Sequence, residues 1–176
     1  MNVFGLTLRT PVPADYQALA SWVPDAEACM RWAGPRVSFP LTPATLSGVL
    51  EVAGGFSYVL AEGAAGPVGF GQHWVLMPGA VHLGRIIVSP QARGRGLGRS
   101  LCEPLMARAV QSTGATSVTL RVYRDNVAAV RLYTGLGFVP VEAESTEQVL
   151  FMRSPANVCA ERTFTAGPPG VALVKC

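Results

Sequence analysis

The stretch PQARGRGLGRS, residues 90–100, places three arginines and three glycines directly after the apolar run RIIVS. Glycine lets a backbone approach a ligand closely, and arginine matches the oxygen atoms of phosphate groups. The apolar run before the stretch predicts a strand. The apolar residues that recur every four positions after it predict an amphipathic helix; they are Leu97, Leu101, Leu105 and Ala109. The stretch is therefore interpreted as an anion-binding loop between a strand and a helix.

Two common phosphate-binding loops do not fit this pattern. A P-loop requires G-x-x-x-x-G-K-[ST], whereas Gly94 and Gly98 stand one residue too close together and Arg99 occupies the place of the lysine. A dinucleotide-binding fold requires G-x-G-x-x-G, whereas Gly94, Gly96 and Gly98 are spaced G-x-G-x-G and no acidic residue ends a following strand. Both designs are excluded.

The rest of the chain predicts a mixed α/β order without internal repeats. Hydrophobic periodicity and turn residues predict strands over 3–9, 56–62, 68–76, 81–89, 117–123, 138–143 and 147–153, and helices over 14–22, 42–53, 97–109 and 126–137. Thr42 is the expected N-cap of the second helix, and Pro104 is expected to kink the third. Residues 1–154 are predicted to form one domain, and residues 155–176 a C-terminal extension or tail.

Composition narrows the classes of protein that the chain can belong to. The net charge is only +3, and the chain contains no basic run interleaved with aromatic residues. Both observations argue against a nucleic-acid partner. The longest uncharged stretch, residues 63–84, contains six glycines and two prolines, which argues against a membrane span. The four cysteines lack metal-type spacing and the N-terminus lacks a secretory pattern, so we expect a cytoplasmic protein with reduced thiols and no metal.

A second motif follows the loop at a distance of about 35 residues. In NVAAVRLYTGLGF, residues 126–138, a tyrosine stands seven positions after an asparagine, so Asn126 and Tyr133 lie on the same face of a helix. Together with Arg93-x-x-Gly96-x-Gly98, this motif resembles the two signatures of the GNAT superfamily of N-acetyltransferases. The resemblance covers about residues 3–153 and is strongest over residues 85–138.

The resemblance implies a fold, a reaction and a set of residues. The implied α/β fold has a mixed, mostly antiparallel sheet of six to seven strands, about four helices, and a splayed strand pair that holds acyl-CoA. The implied reaction is direct attack of a primary amine, on a small molecule or a peptide, on acetyl-CoA in a ternary complex. The implied cofactor-binding residues are Ile86, Ile87, Val88, Arg93, Gly94, Arg95, Gly96, Leu97, Gly98, Arg99, Ser100, Asn126 and Tyr133.

Tyr133 is also the implied catalytic residue, because the family places this hydroxyl at the thioester sulfur. A tyrosine of pKa ~10 is a weaker acid than a thiol of pKa ~8.5, so complete proton transfer to the thiolate is uphill by roughly 2 kcal/mol. We therefore expect Tyr133 to stabilise the thiolate by hydrogen bonding at least as much as by protonation. A backbone N–H of residues 86–88 is the implied donor to the oxyanion.

The general base and the acceptor pocket stay open at this stage. Arg121 stands five residues before Asn126, where acetyltransferases of ribosomal-protein N-termini carry a glutamate. The candidate bases are His82, His73, Glu62 and Glu27, and water is an alternative because part of the amine is neutral at pH 7. The predicted acceptor pocket is formed by residues 21–42, with Trp22, Asp25, Glu27, Trp32, Phe39 and His73 as candidates; the alternative places the aromatic residues in the core and the acids in solvent.

Other functions remain compatible with the same sequence. A non-catalytic acyl-CoA-binding sensor would keep the loop, although it would not need Tyr133. Transfer of a longer acyl chain depends on the depth of the pocket. Homodimers are common in the superfamily, so a homodimer is compatible with the resemblance as well.

Overall fold

The computed structural model describes residues 5–157, which form one seven-stranded sheet and five α-helices. Short 3-10 turns cover residues 63–65, 90–92 and 142–144. The elements are β1 Leu6–Arg9, α1 Pro13–Ser21, α2 Ala26–Ala33, α3 Pro43–Val49, β2 Phe56–Glu62, β3 Pro67–Met77, β4 Ala80–Val88, α4 Leu97–Thr113, β5 Ser117–Tyr123, α5 Val127–Gly135, β6 Val139–Pro140 and β7 Val149–Pro155.

The order of strands in the sheet is β1-β2-β3-β4-β5-β7-β6. Neighbouring strands run antiparallel, with the exception of β4 and β5, which pair in parallel. A parallel pair needs a long crossover, and α4 supplies it. The predicted mixed, mostly antiparallel sheet of six to seven strands is confirmed.

Helices cover both faces of the sheet. Helices α1, α2 and α3 pack on one face around Leu19, Leu46 and Phe70, each at most 1% exposed. Helices α4 and α5 pack on the other face, where Leu101, Leu105 and Ala109 are fully buried. The four-residue spacing of apolar side chains therefore gives the buried face of α4 correctly.

Several predicted elements differ in extent. Residues 26–33, which lie in the predicted acceptor region and were not predicted to be helical, form α2, and the predicted strand over 138–143 is reduced to β6. Helix α4 runs through Pro104 without a break. Thr42 precedes α3 as expected, although its side chain makes no capping hydrogen bond. Residues 1–4 and the predicted tail beyond residue 157 lie outside the described part.

Residues 5–157 contain neither a membrane-spanning helix nor a cluster of metal ligands. None of the helices there combines the length and the apolar character that crossing a bilayer requires. No group of three or more histidine, cysteine, aspartate or glutamate side chains there is placed to hold a metal ion. Cys29 and Cys102 are buried free thiols.

Candidate active site

The parallel strands β4 and β5 separate halfway along their length. They pair from Ala80 with Ser117 to Leu83 with Leu120, and β5 does not pair with the remainder of β4. A bulge in β4 accompanies the separation: Gln72 of β3 faces Gly84 while Phe70 faces Ile87, so one residue of β3 opposes two of β4. The structure thus contains the splayed strand pair that the resemblance implies.

Arg85 adopts the unusual backbone conformation that makes this bulge. Its φ of 51° lies in the left-handed region, which non-glycine residues enter at a cost. Tertiary contacts hold it there: the indole N–H of Trp32 donates to the Arg85 carbonyl at 2.8 Å, and the guanidinium donates to the Leu50 carbonyl and to Gln72 Oε1 at 2.6 and 2.9 Å. Trp32 therefore links α2 to the open end of β4.

A cavity of about 580 Å³ lies at the separation. Its walls come from β4, from β5, from the start and middle of α5, and from α2 with the loop that follows it. The lining residues include Met30, Arg31, Trp32, Arg36, Trp74, His82, Gly84, Arg85, Ile86, Arg121, Tyr123, Asn126, Ala129 and Tyr133. The two predicted signature residues of α5 therefore face the same cavity as the bulged part of β4.

Tyr133 lines this cavity while remaining 7% exposed. Its ring packs edge-on against Phe138, with 6.0 Å between the ring centroids. Burial, and to a smaller extent the neighbouring Cys102, raises the pKa of Tyr133 well above its ordinary value. The hydroxyl is therefore protonated at neutral pH and suits hydrogen-bond donation better than proton release.

Asn126 begins α5 in the way that its motif predicts. Its Oδ1 accepts a hydrogen bond from the Ala129 N–H at 3.3 Å, so it is the N-cap of the helix. It lines the cavity as well. Capping occupies one side-chain acceptor and fixes the side chain at the edge of the site.

The glycine-rich loop reaches the start of α4 through two glycines of positive φ. Gly94 and Gly96 have φ of 76° and 77°, and no atom lies within 4 Å of the position of a side chain on either residue. Gly98 differs, because an added Cβ would lie 2.9 Å from Leu132 of α5. The absence of a side chain on Gly98 therefore permits the close contact between α4 and α5.

The backbone of the loop offers unpaired donors. The N–H groups of Arg99 and Ser100 donate to the Gly96 carbonyl, whereas those of residues 94–98 donate to no backbone acceptor within the described chain. The first N–H groups of a helix lack intrahelical partners and favour an anion. This part of the chain has the donor pattern that a pyrophosphate requires.

The three arginines of the loop differ in their partners. Arg95 pairs with Glu62, with its Nη1 at 3.0 Å from the carboxylate, and Arg99 pairs with Glu103 at 2.9 Å. Arg93 has no carboxylate partner among residues 5–157. The hydrogen bonds from Arg95 lower the pKa of Glu62. This position does not support Glu62 as a general base, because the carboxylate already binds a cation.

His82 is the candidate base that reaches the cavity. It is 6% exposed, and its Nδ1 lies 2.8 Å from Thr119 Oγ1. Burial, assisted by repulsion from Arg121, lowers the pKa of His82 to about 4. The imidazole is therefore neutral at pH 7, with Nε2 as the nitrogen not engaged by Thr119.

The predicted acceptor residues are divided by the structure. Trp32 lines the cavity, whereas Trp22 is 5% exposed within the core beneath α1 to α3. His73 is fully buried between aromatic rings, and neither ring nitrogen has a hydrogen-bond partner among residues 5–157, so its position does not support contact with a substrate. Burial lowers the pKa of His73.

The two predicted acids of the acceptor pocket also lie elsewhere. Asp25 is the N-cap of α2 and accepts from the Ala28 N–H at 2.8 Å, a role that its place before a helical run could have indicated. Glu27 is exposed in the first turn of α2 and does not line the cavity. Phe39 does not line it either. These positions do not support contact with an amine in this cavity.

The side chains of Ile86, Ile87 and Val88 are half-buried and pack against the core clusters. Ile87 packs against the α1–α3 cluster, and Val88 against the cluster at the start of α4. Ile86 lines the cavity. Sequence reasoning missed Trp74, Arg36 and Arg85 as wall residues. Of these, only Trp74 could have been indicated by the sequence: Gly84 is a glycine inside a predicted strand, and its missing side chain makes room for the Trp74 ring.

A mixed sheet opened between two parallel strands, with unpaired N–H donors at the following helix, agrees with the fold that the resemblance implies. The sequence model of the acetyltransferase (GNAT) family matches residues 19–138. The chain belongs to this family.

Curated relatives of this chain match only about half of it. The mycothiol acetyltransferase of Frankia casuarinae is 40% identical over 95 residues, which are 47% of this chain and 27% of that protein. The mycothiol acetyltransferase of Salinispora tropica is 36% identical over 98 residues, 52% of this chain and 32% of the relative. The chain thus spans about a quarter to a third of the curated relatives it matches.

Solved structures share the fold at low sequence identity. Spermidine N-acetyltransferase from Vibrio cholerae, in complex with CoA and spermine, superposes with a TM-score of 0.73 at 18% identity, covering 88% of this chain and 98% of that one. AAC(6')-Ib in complex with ribostamycin and coenzyme A gives 0.70 at 18% identity, covering 93% and 99%.

Proposed function

We propose that this protein is an acetyl-CoA-dependent N-acetyltransferase that acts on a primary amine. The observation that carries the proposal is the cavity itself: the splayed β4–β5 pair, Asn126 and Tyr133 all border it, and the unpaired donors of the loop follow directly on β4. Family membership supports the same reaction.

The loop supplies the binding site for the phosphates of the donor. The N–H groups of residues 94–98 donate to the pyrophosphate, and Arg93 adds a charge that no carboxylate of the described chain neutralises. The absence of side chains on Gly94 and Gly96 leaves room for close approach. Bound acetyl-CoA supplies the thioester that the amine attacks.

The open strand β4 orients the reacting groups. Backbone groups of residues 84–88 on the side facing β5 are released from sheet pairing, and a backbone N–H there serves as the oxyanion donor. Trp32 fixes the Arg85 carbonyl and with it the bulge. Tyr133 donates a hydrogen bond to the sulfur of the leaving thiolate, in agreement with its raised pKa.

His82 receives the proton of the attacking amine. Its depressed pKa keeps it neutral and able to accept, and it makes His82 a weak base that passes the proton on to water. Neutral amine already present at pH 7 carries part of the reaction without a base. We therefore expect His82 to assist catalysis rather than to be indispensable. That the protein lies in the cytoplasm and that it forms a homodimer both stay predictions.

A mass-spectrometric transfer assay tests the proposal. The purified protein is incubated with acetyl-CoA and with amino acids, peptides, amino sugars, polyamines and aminoglycosides, in parallel with Tyr133→Phe. We expect a gain of one acetyl group on one class of amine. Loss of the Tyr133 hydroxyl is expected to lower kcat by about tenfold or more, with little change in acetyl-CoA affinity.

The controls separate the possible failures. Tyr58→Phe removes a hydroxyl from a half-buried tyrosine outside the cavity and is expected to keep full activity. Binding of acetyl-CoA without transfer to any amine would contradict catalysis and favour a sensor. Full activity of Tyr133→Phe would refute the role of the tyrosine but not the proposed acetyl transfer.

A further inference from the structure

The wall of the cavity carries charge of one sign. Its lining includes four arginines, and no aspartate or glutamate of the described chain lines it. These arginines come from α2, from the loop after it, from the bulge of β4 and from β5: Arg31, Arg36, Arg85 and Arg121. Residues 87–100 do not line the cavity, so this set is separate from the arginines of the glycine-rich loop.

Three of the four positive charges have no compensating carboxylate. Arg31 pairs with Asp125, while Arg36, Arg85 and Arg121 form no ion pair within residues 5–157. Arg85 is half-buried and donates only to neutral oxygens, those of Leu50 and Gln72. Neutral acceptors satisfy the guanidinium without cancelling its charge.

The same arginines lie close enough to other groups to affect them electrostatically. Repulsion from Arg36 adds to the effect of burial in lowering the pKa of Arg85. Arg121 stacks over the Phe151 ring at 4.9 Å and adds to the depression of the pKa of His82. A cluster of unpaired cations around a cavity attracts an anion and repels a cationic ligand.

We infer that the amine acceptor carries an anionic group, a carboxylate or a phosphate, that Arg36 and Arg121 bind in this cavity. The inference rests on the proposed function and specifies its substrate class. Guanidinium groups bind both anions in the same bidentate manner. A polyamine, which presents further ammonium groups and no anion, is a poor acceptor for such a wall.

Matched pairs of acceptors test the inference. The pairs are a dipeptide with a free carboxylate and its C-terminal amide, and glucosamine 6-phosphate and glucosamine, with spermidine as a polycation. We expect kcat/KM for the anionic member of one pair to exceed that of its neutral partner by about tenfold or more. The pair that shows the difference identifies carboxylate or phosphate as the recognised group.

Substitutions assign the effect to the arginines. Arg121→Gln and Arg36→Gln should each lower kcat/KM for the anionic member by about tenfold to a hundredfold, since a charge-assisted bond is lost. The KM for acetyl-CoA should change by less than about twofold in both variants, and kcat/KM for the neutral partner should change by less than about twofold in Arg36→Gln. Arg121→Gln also acts on His82, so its test is the ratio of kcat/KM for the anionic member to that for the neutral member. Arg108→Gln, on the exposed face of α4 and outside the cavity, removes the same charge as a control.

The outcomes separate this inference from the proposed function. Preference for neutral amines or spermidine would overturn the inference while confirming acetyl transfer. A raised KM for acetyl-CoA in both variants would assign the arginines to the donor and overturn it as well. If no amine is acetylated, the proposed function fails. Calorimetric binding of the same pairs to the CoA-bound protein then decides: tighter binding of the anionic member supports the inference, and equal or weaker binding overturns it.

Discussion

At the scale of single residues, burial sets the protonation of the groups around the cavity. It raises the pKa of Tyr133 and lowers that of His82, and in the core behind the cavity wall it raises the pKa of the fully buried Cys102 thiol to about 12. All three groups are consequently uncharged at pH 7. The formal charges of the cavity wall are therefore those of its arginines, which gives them control over the electrostatics of the acceptor.

The buried imidazole of His82 makes stability depend on pH. The unfolded chain protonates His82 near its ordinary pKa of 6.5, and the folded protein protonates it near pH 4. The unfolded state therefore binds more protons between these values, so the stabilising contribution is complete above about pH 6.5 and is lost as the pH falls towards 4. From pH 7 to 4.5 we expect wild type to lose about 2 kcal/mol relative to His82→Gln.

Urea unfolding at the two pH values measures this difference. His73, whose pKa burial also lowers, is present in both proteins and cancels in the comparison. A variant that loses stability in parallel with the wild type would show that His82 does not titrate abnormally.

At the scale of elements, the bulge of β4 depends on contacts from other elements. Trp32 of α2 donates to the Arg85 carbonyl, while Trp74 of β3 covers Gly84 so closely that an added Cβ would collide with its ring. The open end of β4 is therefore held from two sides. Its shape follows from packing, because nothing in the local sequence favours positive φ at an arginine.

Adding a methyl group at this position tests the packing. Gly84→Ala should lower the free energy of unfolding by about 1–3 kcal/mol, since Trp74 must move. Gly48→Ala, in α3 with no atom within 4 Å of the added group, is the matched control and should be neutral or stabilising by up to about 1 kcal/mol. Chemical denaturation measures both. Equal effects would contradict the close contact between Trp74 and Gly84.

At the scale of the whole molecule, sequence patterns predict the strands and helices better than they predict which residues line the cavity. The strands 56–62 and 117–123 match β2 and β5 because alternation and turn residues mark them locally. Helix α2 was missed because it is eight residues long and lies between Pro24 and Pro35. The cavity wall joins residues as distant as Arg36, Trp74 and Arg121, whose proximity only the assembled sheet creates. Residue type alone does not separate a core position from a pocket position either: Trp22 and His73 are types that suit a pocket, yet both lie in the core.

Hydrogen–deuterium exchange with and without acetyl-CoA tests most directly whether the donor binds where β4 and β5 separate. We predict slower exchange in residues 84–88 and 94–98 when acetyl-CoA is present, because bound pantetheine and phosphates accept hydrogen bonds from N–H groups there that lack a backbone partner. Residues 126–133 should also exchange more slowly, because the bound ligand restricts the opening of α5. Helix α1 packs on the opposite face of the sheet from α4 and does not line the cavity, so it should exchange at the same rate in both samples. Protection confined to other segments, or none at saturating acetyl-CoA, would contradict the account.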